Sequence, residues 1–285
     1  MTYRRILAAI SGGSASQATT DVACWLAKTF AANVEGFHVK WDAVAISAMT
    51  TGMLGLSIDG IALEQLVAES ETAARRAGDT FRGRAEKMGL VPFAGDRKVP
   101  SFGWRVAKGP APELVAREAI LYDLVVLGRS DRVLDEPSSH AIEETLTKSG
   151  RPVLLTPSTA PTEIGQHAAI GWNGSAQAAR AVTAGLPLLK RAEKVTVITI
   201  GKEWSAGSAA IIDFLAWHGV EAHHLEHARE GGRAAGARLI EQAETTGADL
   251  LVMGAFAHAP WQEALFGGAS REALKTSSLP ILLAH

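Results

Sequence analysis

The chain repeats itself, and that repeat limits what it can fold into. Tyr122-Asp123-Leu124-Val125-Val126-Leu127-Gly128 returns 126 positions later as Ala248-Asp249-Leu250-Leu251-Val252-Met253-Gly254. Gly150-Arg151-Pro152-Val153-Leu154-Leu155 returns 128 positions later as Ser278-Leu279-Pro280-Ile281-Leu282-Leu283. A duplicated chain must fold as its unit folds, twice over. The early parts of the copies match more loosely. Ile6-Leu7-Ala8-Ala9-Ile10-Ser11-Gly12-Gly13-Ser14 has the same shape as Ala168-Ala169-Ile170-Gly171-Trp172-Asn173-Gly174-Ser175, an apolar run closed by Gly-Ser. There the offset is 161, so the first copy holds about 35 additional residues before its fourth strand. The copies meet in a stretch rich in Pro, Ser and Thr, as a linker should be. We therefore read domain 1 as residues 1–157, a linker at 158–165 and domain 2 as 166–285, and 285 residues suit two domains of ordinary size.

Within each copy, strand-like and helix-like patterns alternate. Val22, Trp25, Leu26 and Phe30 in the first copy, and Ala178, Val182, Leu186 and Leu189 in the second, recur at spacings of three and four that place a stripe on one helix face. A strand follows each helix, Val34 to Val39 and Val195 to Ile200. Such alternation implies βαβ crossovers, hence an α/β fold with two tandem doubly wound, Rossmann-like parallel sheets. Leu250 to Met253 is continuously apolar, as a strand covered on both faces should be. Ligands in such sheets bind beyond the carboxyl ends of the strands. Gly12-Gly13-Ser14, Gly128, Gly174-Ser175 and Gly254 all fall at those ends, and each taken alone reads as a tight turn.

Composition narrows the function. The net charge is −2, from 28 basic and 30 acidic residues, which gives no pull toward nucleic acid or an acidic membrane. A single cysteine, Cys24, excludes an intramolecular disulfide and any zinc site needing two thiolates, and suits a reducing cytoplasm. The apolar run Ile6–Ile10 is too short for a secretory signal. Ala43 to Leu63 has Asp59 as its only charge, but Gly52, Gly55 and Gly60 interrupt it and it is too mildly apolar to span a bilayer. It reads as an insertion covering either a ligand cavity in the first unit or a contact with a second copy of the chain.

Together these units resemble the universal stress protein family in its tandem form, over nearly the whole chain. In that family the fourth strand ends in glycine, two residues precede another glycine, and nine more precede glycine with serine or threonine. Here Met253-Gly254-Ala255-Phe256-Ala257 is followed by nine residues, His258 to Phe266, and then by Gly267-Gly268-Ala269-Ser270. The spacing holds, although Ala257 stands at the second glycine and Gly268 at the hydroxyl position. Glycines suit such a loop because backbone N–H groups must approach phosphate closely. The family's first-strand aspartate is replaced by Asn173, which keeps hydrogen-bonding capacity without charge. The resemblance thus implies an ATP or other adenine nucleotide site in domain 2, built from Asn173, Gly174, Met253, Gly254, Gly267, Gly268, Ala269 and Ser270, with no metal. The first copy has Ser11 at the aspartate position, lacks the second glycine after Gly128, and carries Asp131, Asp135 and Glu136 in its loop. Those carboxylates would repel phosphate, so no nucleotide is expected there. The resemblance also implies that the two domains form an internal pseudo-dimer through their last strands, Val153 to Thr156 and Ile281 to Ala284.

Other constellations give less. No Gly-x-x-x-x-Gly-Lys-Ser/Thr occurs, and Gly128-Arg129-Ser130-Asp131-Arg132 lacks the last glycine of a nucleophile elbow. His223, His224 and His227 cluster, but on a strand only His223 and His227 share a face, so a solvated strand edge is expected rather than a metal site. Trp172 and Trp261 flank the loops and could stack on a base, while Cys24 reads as inert packing. Nothing assembles a nucleophile, a base and an oxyanion site. The reading is a non-enzymatic, cytoplasmic stress-response protein that binds a small ligand, with no nucleic-acid or membrane partner. A nucleotide hydrolase or nucleotidyl-transfer enzyme of the adenine-nucleotide α-hydrolase-like group is the alternative.

Overall fold

The computed structural model describes residues 2–13, 15–41, 59–129, 139–161, 163–201, 207–228, 235–255, 274 and 276–285. By its contacts the chain divides into two compact units, Arg4–Ser149 and Gly150–His285, the latter taking in Met1–Tyr3.

The amino-terminal unit runs β1 (Arg5–Ala9), α1 (Ser16–Phe30), β2 (Asn33–Lys40), α2 (Gly60–Lys87), β3 (Val91–Pro92), β4 (Ser101–Lys108), α3 (Ala111–Ala119), β5 (Leu124–Gly128) and α4 (Ser139–Ser149). Its strands lie in the order β3-β4-β2-β1-β5, and the pairs β1–β2, β1–β5, β2–β4 and β3–β4 are all parallel. Strand order reverses across β1, which places the topological switch point, and the crevice that goes with it, at the carboxyl end of that strand. Every residue of β5 is buried, as expected for a strand covered on both faces. On α1, Val22 and Leu26 are buried as the periodicity predicts, while Trp25 and Phe30 are half-buried.

One packing relation fixes α2 against this sheet. The Trp104 indole on β4 lies over Gly36 of β2 and Gly78 of α2; a Cβ on Gly36 would come within 2.6 Å of it, and one on Gly78 within 2.8 Å. Phe81 closes the cluster, its ring centroid 5.4 Å from Trp104 and 6.2 Å from Phe102. The helix begins where the sequence leaves the apolar insertion. Asp59 is its N-cap, its Oδ1 accepting from the Ala62 N–H at 2.8 Å. Gly60–Leu63, the end of that insertion, is thus the first turn of a 28-residue helix. The rest of the insertion, 43–58, lies outside the described residues.

The carboxy-terminal unit holds β6 (Val153–Thr156), β7 (His167–Gly171), α5 (Ala176–Leu189), β8 (Lys194–Ile200), α6 (Ser208–Trp217), β9 (His223–His227), α7 (Ala235–Thr245), β10 (Leu250–Gly254) and β11 (Ile281–Ala284). The order is β6-β11-β10-β7-β8-β9, with the switch point between β7 and β10. All four residues named for the α5 stripe, Ala178, Val182, Leu186 and Leu189, are buried. β6 and β11, the closing strands of the two repeats, run antiparallel with Leu155 opposite Ile281 and Leu154 opposite Leu282. This is the pairing the resemblance implies. The amino-terminal tail is held here too, for the Tyr3 hydroxyl donates to the Ala184 carbonyl at 2.6 Å.

Candidate functional site

The loop after the first strand has the same construction in both repeats. In the carboxy-terminal unit Asn173 Oδ1 accepts from the Ser175 N–H at 3.2 Å and from the Ser175 hydroxyl at 2.7 Å, and Ser175 caps α5 by accepting from the Ala178 N–H at 3.1 Å. In the amino-terminal unit Ser11 Oγ accepts from the Gly13 N–H at 3.2 Å, and Ser16 Oγ accepts from the Gly12 N–H at 2.9 Å. Both are turns in which a short side chain bonds its own backbone two residues on. Between them sits a residue in the left-handed region, Gly12 at φ 91 and Gly174 at φ 69, where glycine adds no steric cost. The Asn173 acceptor therefore orders this loop, a use the sequence did not show.

The strand-end glycines have a packing reason as well. A Cβ on Gly254 would lie 2.5 Å from the Ala178 nitrogen, so β10 passes directly against the start of α5. Gly128 repeats this against α1, where a Cβ would lie 2.5 Å from Thr19 Oγ1 and 2.9 Å from Ala15 Cβ. Of the residues named for the domain 2 site, Asn173, Met253 and Gly254 come together around a recess of about 20 Å³, with Trp172 and Leu239. Leu239 packs onto Gly171 and occupies much of this end of the sheet. Trp172 Nε1 is buried there without a hydrogen-bond partner among the described residues. Gly267, Gly268, Ala269, Ser270 and Trp261 lie outside the described residues, as do Asp131, Asp135 and Glu136 of the other loop.

The larger cleft belongs to the amino-terminal unit. About 260 Å³ opens at the carboxyl ends of β1 and β2, lined by Ile10, Phe37, Val39 and Trp41 together with Leu66 of α2 and Val115 of α3. His38 lines it and is only 3% exposed. Its Nδ1 lies 2.7 Å from the Ile10 carbonyl, and the Trp104 indole stacks on the ring at 6.2 Å and 22°. A carbonyl can only accept, so Nδ1 holds the proton and Nε2 keeps its lone pair. Burial pushes the His38 pKa below the usual histidine value, against the opposing bond to Ile10, so the ring is neutral near pH 7. Ser70, at the rim, accepts from the Trp41 N–H at 2.9 Å. Nothing in the sequence marks His38, which sits within an otherwise ordinary strand.

Elsewhere, His224 on the edge strand β9 pairs its Nε2 with Thr199 Oγ1 at 3.0 Å, while His223 is exposed. Among the described residues no group of three or more His, Cys, Asp or Glu converges, and no helix is long and apolar enough to cross a membrane. Cys24 is fully buried, and burial, helped by the Asp21 charge, pushes its thiol up to about 12.

Mostly parallel sheets with alternating helices and crevices at their switch points define a Rossmann-like α/β fold. Solved structures make the class more specific. A universal stress protein from Archaeoglobus fulgidus superposes on 99% of this chain and 96% of its own, with TM-score 0.72 at 13% identity. A Pseudomonas aeruginosa protein designated to the same family covers 99% of this chain and 93% of its own, with TM-score 0.59 at 15% identity. The chain thus has the universal stress protein fold, in a tandem arrangement of two units. No protein-family model and no curated protein matches the sequence.

Proposed function

We propose that this is a non-catalytic small-ligand-binding protein of the universal stress type, and that the cleft of the amino-terminal unit is its ligand site. One observation supports this above the others. At a switch point, where this fold class holds its ligands, there is a cleft of about 260 Å³ with a buried imidazole in its wall. The polar groups around it are spent on structure: Ser11 on Gly13, Ser70 on Trp41, and His38 Nδ1 on Ile10. Among the described residues no serine is paired with the histidine as a nucleophile would be. Native mass spectrometry of the full chain and of Ala73→Phe, which fills the cleft from α2, tests the site. A bound small molecule in the parent should be lost in the variant; equal occupancy in both would rule the cleft out. Sustained turnover of ATP with magnesium would instead favour the hydrolase reading.

An adenine nucleotide in the carboxy-terminal unit is the second reading. The spacing from Gly254 to Gly267-Gly268 supports it, and so does Trp172 Nε1, a buried donor with no acceptor among the described residues. Calorimetric titration with ATP should show binding that Gly267→Val abolishes. If that variant bound ATP as well as the parent does, the assignment would be wrong.

A further inference from the structure

The cleft of the amino-terminal unit has walls that select a ligand by chemistry as well as by size. Among its described lining residues Glu69 is the only charged one, and it is exposed at the rim; there is no Lys or Arg. The nearest cation on the same strand, Lys40, is held 3.0 Å from Glu71 across the gap to α2. Among these described residues a polyphosphate would meet no countercharge and one carboxylate of its own sign. Apart from Glu69, His38 and the Ser11 and Ser70 hydroxyls, which accept from the Gly13 and Trp41 amides, the described lining is aromatic and aliphatic, with Phe37, Val39, Trp41, Leu66 and Val115.

Against that apolar surface stands one fixed polar atom. His38 is anchored from behind by the Ile10 carbonyl and held flat by Trp104, so its ring has little freedom to turn. Nε2 has no hydrogen-bond partner among the described residues. The ring is part of the cleft wall, so a ligand can supply the donor that the protein does not.

We propose that the cleft binds an uncharged aromatic molecule of one or two rings bearing a single O–H or N–H group, which donates to Nε2 of His38. The size agrees: an apolar cavity of about 150 Å³ takes one benzene ring, and the cleft here is about 260 Å³. This deepens, and rests on, the reading of the cleft as the ligand site.

Calorimetric titration of the full chain with 2-naphthol, 2-methoxynaphthalene and ATP tests it. The methoxy compound keeps the rings and the oxygen but lacks the donor. The hydroxyl compound should bind roughly fivefold to tenfold more tightly, the worth of one hydrogen bond. His38→Phe should erase that preference while still binding the methoxy compound, and Ala73→Phe should abolish both. Should His38→Phe fail to fold, the parent protein still decides the question. Two-bond nitrogen–proton NMR should place the proton of His38 on Nδ1 and show the Nε2 resonance moving with 2-naphthol and staying put with 2-methoxynaphthalene. Equal affinities for the two naphthalenes, or an unmoved Nε2 resonance, would overturn the assignment to a donor-bearing aromatic. Binding of ATP that Ala73→Phe abolishes would overturn the ligand class while leaving the cleft as a ligand site. Naphthol binding unaffected by Ala73→Phe would overturn both.

Discussion

The Asp249 carboxylate accepts hydrogen bonds from three consecutive backbone amides, with Gly165 and Gln166 at 2.9 Å and His167 at 3.1 Å. Asp123 does the same in the other repeat for Arg4 at 2.7 Å and Arg5 at 2.9 Å. The aspartate that makes the repeated motif recognisable thus ties the entry of the central strand to the strand beside it. Bonds to a charged acceptor are worth more than neutral ones, so Asp249→Ala should cost about 2 kcal/mol of stability. Asp123→Ala, at a more exposed site with two such bonds, should cost less. Urea unfolding of both variants measures the difference, and equal, negligible losses would mean the motif has another purpose.

Replacing Gly254 by Ala should be more damaging than replacing Gly128. At Gly254 the new methyl would meet backbone, the Ala178 nitrogen and the Gln177 carbonyl carbon, which cannot turn aside. At Gly128 its nearest contact would be a threonine hydroxyl, which can rotate aside, with an alanine methyl at 2.9 Å that moves only with its helix. Overpacking of this kind costs about 1–3 kcal/mol, and Gly254→Ala should fall at or beyond the upper end. Melting temperatures of the two variants in parallel check the order.

Acid should weaken the fold through its histidines. Burial lowers the pKa of His38 in the folded chain, and also those of His167 and His227. The unfolded chain therefore binds protons first as pH falls below about 6.5, and stability declines from there until the folded imidazoles titrate. Above that pH these groups exert no such pull. His38→Phe should flatten part of this dependence and leave the share of His167 and His227. A slope of unfolding free energy against pH unchanged by the substitution would contradict it.

Cys24 should be inert while the protein is folded. With its thiol pushed up to about 12 and no exposed surface, almost no thiolate is present at pH 8 to react. Iodoacetamide should label it only at the rate the chain unfolds, and rapid native-state labelling would show that the first helix opens locally.

The fold was legible because its signals are local. Both second strands, the stripe on α5 and the two closing strands stand where periodicity and repetition put them, since each depends on a few adjacent side chains. The site was less legible, because its parts come from distant segments and their roles are not written in residue type. Asn173 matched a ligand-contacting position by sequence, yet its oxygen is engaged with Ser175, two residues away. Gly254 looked like a phosphate-loop glycine, and its nearest neighbour is a helix backbone. His38 was invisible among valines. Only the carbonyl behind it, the indole beside it and a helix that starts more than twenty residues later turn it into a directed acceptor.

The antiparallel pairing of β6 with β11 has a consequence for how the polypeptide must be made. β6 leaves the ribosome early, long before its partner strand exists, and Tyr3 must wait for Ala184, 181 residues downstream. Contacts so far apart in sequence form late and slowly. Until translation is nearly finished, β6 lacks the edge it will zip against, an apolar strand of the kind that chaperones shield and that neighbouring nascent chains can capture. Moving the start of the reading frame to the linker, by circular permutation, would bring the tail and β6 in after β11. β6 would then emerge with its partner edge already made, and the wait would pass to β11, which lies in an otherwise complete unit.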